Sequence, residues 1–364
     1  QLEGLFFQAG LNEGWWVNTA DYEGPNAAFT AGRMAAHGVL DSVRAVKSLQ
    51  DKTGLDSEAE VAFWGYSGGA LATTWATALQ PTYAPELSPY LLGAAVGGVP
   101  GNITKTILAV DGTAYSGLIV AGMYGLSQEY PVLQPIVTAA FPKRMSWMLS
   151  KARDSCIAVA ASATAYTQFF TGPHKLVVDG YSIFQREDVK AVLKNTTLGI
   201  DPVEMPTMPM FMYSGTEDAI VPEASTEYIY DQWCANNIGS LEVALSLSTR
   251  HITEMVFGSP AAFTWLKNRF EHKDNLAKGC TKTLRKLNLL YPGITVNTLE
   301  FFEGVAKTIF GFKVGPSASS IASNTTKREE FDYNFDYDDI VERQLDEQIR
   351  MEDWKSTRLK ASLV

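Results

Sequence analysis

The five residues Gly65-Tyr66-Ser67-Gly68-Gly69 constrain this chain more than any other feature. They fit the pattern G-x-S-x-G, and they fall where that pattern has a mechanical reason to fall. The apolar run Val61–Trp64 reads as a strand, and the small-residue stretch from about Gly68 to Leu79 reads as a helix. A serine on a sharp strand-to-helix turn has a strained backbone, so its close neighbours must be small. Gly65 and Gly69 are expected to meet that need, while Ala70 and Ala72 let the helix lie close to the sheet. The turn points the Ser67 hydroxyl outward. The Gly68 N–H, at the start of the helix, can donate to a developing oxyanion.

The rest of the chain supplies the fold such a turn requires. Gly14–Ala20 reads as a first strand and Ala27–Ser48 as a helix. Leu91–Val96, Pro209–Tyr213 and Leu241–Leu247 read as further strands. Helices are expected over Glu223–Trp233 and Ser259–Phe270. This alternation predicts an α/β fold with a mostly parallel sheet flanked by helices. The rhythm is lost between about Gly101 and Val203, a stretch rich in Gly, Ala and aromatic residues. An insertion of that length in a compact domain reads as a helical lid or cap. The expected organisation is therefore 1–100, the first part of the core with Ser67; 101–203, the lid; 204–315, the second part of the core; and 316–364, a tail.

A serine nucleophile needs a base and an acid, and in a fold of this kind they follow it in the order acid, then base. The chain has four histidines. His37 precedes Ser67, His174 lies in the lid, and His272 sits in the charged run Glu271-His272-Lys273-Asp274. His251 follows the Leu241–Leu247 strand by a short loop, which is where the base belongs. The acid should follow the strand before that one. Pro209–Tyr213 leads into Ser214-Gly215-Thr216-Glu217-Asp218, which makes Asp218 the first choice and Glu217 its rival.

Composition excludes other classes. The chain has 364 residues, 46% hydrophobic and 19% charged, with a net charge of −10. No block of Lys and Arg offers a footprint for nucleic acid. No apolar run approaches the roughly 20 residues of a transmembrane helix. No Cys/His cluster has zinc spacing and no Gly-rich loop has dinucleotide spacing, so no metal and no cofactor is expected. The tail from Pro316 to Val364 carries 7 basic and 11 acidic side chains. Pro316–Asp339 reads as linker or disorder, and Ile340–Lys360 as one short amphipathic helix.

Several longer stretches resemble the secretory lipase family of fungi, the lipase A-like triacylglycerol lipases. They are Gly65-Tyr66-Ser67-Gly68-Gly69-Ala70 followed by Tyr83-Ala84-Pro85-Glu86-Leu87, and Asp21-Tyr22-Glu23-Gly24-Pro25 with Ala28-Phe29-Thr30-Ala31-Gly32. Gly215-Thr216-Glu217-Asp218-Ala219-Ile220-Val221-Pro222 and Thr249-Arg250-His251-Ile252-Thr253-Glu254 continue the match. The resemblance runs from about Leu2 to Gly311. It implies a secreted α/β-hydrolase with a helical lid, acting on acylglycerols and other carboxylic esters at a lipid–water interface. Ser67 would be the nucleophile, Asp218 the acid and His251 the base. Another serine hydrolase of the same fold (a short-chain esterase or a peptidase) and a catalytically weak or silent homologue are the alternatives. Family members carry a segment upstream of Leu2 that supplies the second oxyanion donor. A chain that opens on Gln1 without a signal peptide is expected to be processed or cut, to lack that donor and, expressed alone, to be poorly soluble and weakly active.

The resemblance also implies a disulfide between Cys234 and Cys280. It leaves Cys156 to a partner in the upstream segment. The sequons at Asn102, Asn195 and Asn324 permit N-glycosylation on a secretory route. In the lid, Tyr115, Leu118, Ile119, Met123, Tyr124 and Leu126 could face a lipid surface or form the lid's own core.

Overall fold

The structure, a computed structural model, describes residues 3–141, 143–200 and 204–309. Among them, five strands form one parallel sheet whose spatial order is the order of the sequence: β1 (Val61–Tyr66), β2 (Leu91–Gly97), β3 (Met210–Gly215), β4 (Ser240–Ser246) and β5 (Gly279–Arg285). Helices α1 (Gly4–Asn12), α2 (Gly32–Ser48) and α3 (Gln50–Thr53) precede the sheet. Parallel neighbours need crossovers. α4 (Gly68–Tyr83) joins β1 to β2, α11 (Glu223–Ala235) joins β3 to β4, and α12 (His251–Phe270) joins β4 to β5. Between β2 and β3 lie α5 (Ile103–Val110), α6 (Gly117–Glu129), α7 (Gln134–Ala140), α8 (Ser146–Asp154), α9 (Ile157–Ala163) and α10 (Glu187–Asn195). α13 (Val296–Ile309) closes the described chain.

Strand residues alternate between two cores, because successive side chains leave a strand on opposite faces. Ala94, Val96, Met210, Met212, Val243 and Leu245 pack with α2, α4 and α11. Ala95, Phe211, Tyr213 and Ala244 pack against α12 on the other face. Both faces are covered, which is why the central strands are apolar throughout. The helices between β2 and β3 have a third core of their own, built on Ile119, Val120, Leu126, Val137 and Phe169. It reaches down to Ile220 and Val221 in the loop after β3.

Four expectations change. Gly14–Ala20 forms no strand: Trp15 packs its ring on Phe263 and Phe270, and the Asn18 amide donates to the Ser42 hydroxyl. Side-chain packing on α12, rather than strand pairing, fixes this segment. The helix expected from Ala27 begins at Gly32, since Ala27 and Thr30 hold positive φ values of 49° and 69°. α12 begins at His251, well before Ser259. β5 was not foreseen. The tail expectations for 316–364 lie outside the described residues. Among the described residues, no helix is long and apolar enough to cross a membrane.

Candidate active site

Ser67 sits between β1 and α4 with φ 54° and ψ −116°, a conformation that costs an ordinary residue of order 1–3 kcal/mol. Its N–H still donates to the Gly97 carbonyl at 2.9 Å, so the last rung of the β1–β2 pairing holds the turn. Gly65 is indispensable here. A Cβ on it would collide with the Gly69 carbonyl and crowd the Thr73 hydroxyl, 2.7 Å away. Gly69 is different, because a Cβ there would meet nothing within 4 Å. The need for smallness thus rests on Gly65, contrary to the expectation that both glycines share it. Gly68 is the first residue of α4, and Ser67 is half-buried.

The acid and base arrive from the ends of β3 and β4. Asp218 follows β3, and its side chain is fully buried. Its Oδ1 accepts from the N–H groups of Ile220 and Val221, at 2.9 and 2.7 Å. Its Oδ2 lies 2.6 Å from His251 Nδ1. Two backbone N–H groups and the imidazole thus occupy both oxygens of the carboxylate and fix its orientation. Glu217, the rival, is exposed and plays no part in this pair. His251 is the first residue of α12 and is 6% exposed.

The nucleophile side and the base side are tied together. The Tyr66 hydroxyl, one residue before Ser67, donates to the His251 carbonyl at 2.6 Å. Gly97 and Gly98 leave space for this meeting. A Cβ on Gly98 would lie 3.0 Å from His251 Cε1 and 3.2 Å from Tyr66 Cζ. Gly98 also has φ 53°, which a glycine adopts without strain. Ser67, Asp218 and His251 therefore stand beyond the carboxyl ends of β1, β3 and β4, on the edge where an open α/β sheet presents its ligand site. A cleft of about 280 Å³ opens beside His251, lined by that residue with Tyr115, Ala219, Ile220 and Arg250. Tyr115 is the contribution of the insertion.

The remaining expected residues are placed as follows. His37 stacks on Tyr83, His174 is exposed, and His272 pairs with Glu60 at 3.2 Å. Cys234 and Cys280 are joined, linking α11 to β5, and Cys156 is an exposed free thiol. Asn102 caps α5, its Oδ1 accepting from the Lys105 N–H, and the Asn195 amide donates to the Tyr130 hydroxyl at 2.9 Å. Asn324 lies outside the described residues. Of the six apolar residues singled out in the insertion, Ile119 and Leu126 are buried. Tyr115, Leu118, Met123 and Tyr124 are half-buried, and the first three pack against the core of the insertion. Among the described residues, no group of three or more His, Cys, Asp or Glu is placed to hold a metal.

Sequence reasoning missed Glu254, which is fully buried one turn after His251. Burial pushes its carboxyl up to about 7, against hydrogen bonds from Ser246, Asn288 and Thr249 that pull it down. The readable signal is an acid directly before the apolar run Met255-Val256-Phe257, which a helix expected only from Ser259 leaves out.

A model of the family described as secretory lipase matches residues 1–278. The chain belongs to the secretory lipase family. Lipase 1 of Candida albicans is 41% identical over 311 residues, 85% of this chain and 66% of the relative. A secreted triacylglycerol lipase of Malassezia furfur is 31% identical over 326 residues, 89% of this chain and 66% of that one. The chain spans about two thirds of the length of the curated relatives it matches. Among solved structures, lipase A of Candida antarctica superposes with a TM-score of 0.71 at 26% identity, covering 82% of this chain and 69% of the other. A hydrolase from Legionella pneumophila, at 14% identity and a TM-score of 0.55, shares the fold. The fold of this secretory lipase family member is the α/β-hydrolase fold.

Proposed function

We propose that the protein is a secreted triacylglycerol lipase that cleaves carboxylic esters through an acyl-enzyme intermediate. The observation that carries this reading is the buried Asp218–His251 pair, 2.6 Å apart, on strand ends next to Ser67 on its strained turn. His251 Nε2 takes the Ser67 proton as Ser67 Oγ attacks the ester carbonyl. Asp218 keeps the Nδ1–H in place and stabilises the imidazolium. The Gly68 N–H donates to the oxyanion. The imidazolium returns its proton to the leaving alcohol. Water, activated by the same imidazole, then releases the fatty acid and restores Ser67.

The cleft beside His251 supports an ester with an apolar arm, since Tyr115, Ala219 and Ile220 form its wall. Export fits the family, and on that route Asn102, Asn195 and Asn324 would be open to glycosylation before folding is complete.

A fluorophosphonate probe tests the nucleophile. It should label Ser67 in the folded protein and leave Ser67→Ala untouched. No labelling of folded protein would overturn the reading in favour of a silent homologue. Turnover of p-nitrophenyl esters of rising chain length, beside a peptide substrate, tests the class. Long-chain preference is expected. Activity confined to short chains would make it an esterase, and amide cleavage would make it a peptidase.

A further inference from the structure

Among the described residues, Glu254 is the one fully buried carboxylate near the site that the reaction above does not use. Its surroundings are specific. Thr249 Oγ1 donates to Glu254 Oε2 at 2.8 Å, and Asn288 Nδ2 donates to Oε1 at 2.7 Å. Asn288 is itself fixed, its N–H donating to the Ser246 hydroxyl at 2.9 Å and its amide to the Ala244 carbonyl at 3.1 Å. One carboxylate thus gathers the end of β4, the loop after it, the first turn of α12 and the Asn288 turn beyond β5.

Thr249 is the informative partner. It lies two residues before His251, and its carbonyl accepts from the Glu217 N–H at 3.1 Å, one residue before Asp218. The Thr249 backbone packs so closely on Gly215 that a Cβ there would collide with the Thr249 carbonyl. The acid loop and the base loop therefore meet at Thr249, and Glu254 holds Thr249 from below. We propose that Glu254 is a positioning residue: by clamping Thr249 it sets the register of the Asp218 loop against the His251 loop, and so the geometry of the acid–base pair. This rests on the reading of Ser67, Asp218 and His251 as the reacting groups.

The charge state of Glu254 then matters. The ionised carboxylate accepts from Thr249, Asn288 and Ser246 with no donor conflict. The protonated acid carries an O–H that one of those groups must accept, and the clamp on Thr249 weakens. The titratable groups that interact with it are Asp218 from the loop after β3 and Tyr213 from β3, and His251 stands one turn earlier on its own helix. With its carboxyl pushed up to about 7, Glu254 changes charge across neutral pH.

The test measures the rate of fluorophosphonate labelling at Ser67, kcat and KM on a soluble p-nitrophenyl ester, and the melting temperature, for the full chain and four variants. Thr249→Val should slow labelling and kcat about ten- to a hundredfold at unchanged KM, the scale expected for a catalytic group misplaced by about an ångström. Thr249→Ser, which keeps the hydroxyl, should restore most of the rate. Glu254→Gln imitates the protonated acid. It should approach wild-type rate at acid pH and fall behind progressively as pH rises through about 7. Glu254→Ala should be slow at every pH. A parallel fall for Glu254→Gln at all pH values, or melting temperatures that drop while labelling rates per folded molecule stay at wild type, would reduce Glu254 to a structural role and overturn the proposal. A wild-type chain that does not label at all would instead remove the reading of Ser67, and the clamp with it.

Discussion

In the sheet, Ala94, Val96, Met210 and Met212 feed one core while Ala95, Phe211 and Tyr213 feed another, and a disulfide ties α11 to the edge strand β5. Among its described residues, the insertion between β2 and β3 has neither ladder nor cross-link. Its counterpart to both is Asp111, at the end of α5. Asp111 accepts from the N–H groups of Phe169, Phe170 and Thr171 and from the hydroxyls of Thr171 and Tyr181. Glycine also permits its close approaches: a Cβ on Gly117 in α6 would collide with Ala161 in α9, and one on Gly125 with the Phe29 backbone in the segment before α2. The sheet is over-determined by many repeated bonds, whereas the insertion depends on a few irreplaceable ones. A rigid body that carries the chemistry and a separable one that shapes access to it should therefore fail in different ways.

The largest expected effect probes the rigid half alone. Ser67→Ala should lower ester turnover on the order of a millionfold with the melting temperature intact, and adding His251→Ala should make it no worse. Residual turnover near wild type would break the assignment of chemistry to the sheet. Next in size is the cross-link. Replacing Cys234 and Cys280 together, which removes a closure spanning 46 residues, should cost roughly 3–4 kcal/mol in chemical denaturation. That loss should register in the core. A loss seen only in the insertion would reverse the contrast.

Asp111→Ala sharpens the contrast from the other side. It strips a shared acceptor from three backbone N–H groups and should destabilise the insertion by about 2–3 kcal/mol. Hydrogen exchange should quicken over 103–195 while β1 to β4 stay protected. Uniform quickening would mean that the two bodies unfold as one. The smallest pair tests the serine turn. Gly65→Ala, which must displace backbone, should cost about 1–3 kcal/mol. Gly69→Ala should be neutral or slightly stabilising, since its side chain finds open space in a helix. Equal costs would contradict the geometry of the turn.

These differences also set what is legible in the sequence alone. The central strands were legible because apolar residues on both faces leave an unbroken signature. β5 was not, because Gly-Cys-Thr-Lys-Thr-Leu-Arg is largely exposed at an edge, and only pairing with β4 makes it a strand. The start of α12 was hidden by Gly258 and Pro260. Gly258 is no breaker here, since a Cβ on it would collide with Tyr213. It is small so that the helix can lie on the sheet. Pro260 is tolerated within the helix, where the Ser259 hydroxyl donates to the Met255 carbonyl and Thr264 Oγ1 to the Pro260 carbonyl. Chain order selected Asp218 and His251, and the structure brings these two together. The choice of Asp218 over Glu217 needed the backbone, because only the loop's course decides which of two adjacent acids turns inward. Glu254 was invisible for a related reason: its meaning depends on Thr249 and Asn288, the second of which is 34 residues away.

The hydrogen bond from Tyr66 to the His251 carbonyl has a dynamic consequence. Thermal motion in a protein is a matter of tenths of an ångström to an ångström, as large as the tolerance of a proton transfer. Two groups borne on independent loops would wander with uncorrelated noise, and their separation would fluctuate more than either position. Coupled through Tyr66, the residue before Ser67 and the residue that is His251 share their displacements. The noise common to both cancels from the distance between them, so the whole assembly can breathe while that one interval stays nearly constant.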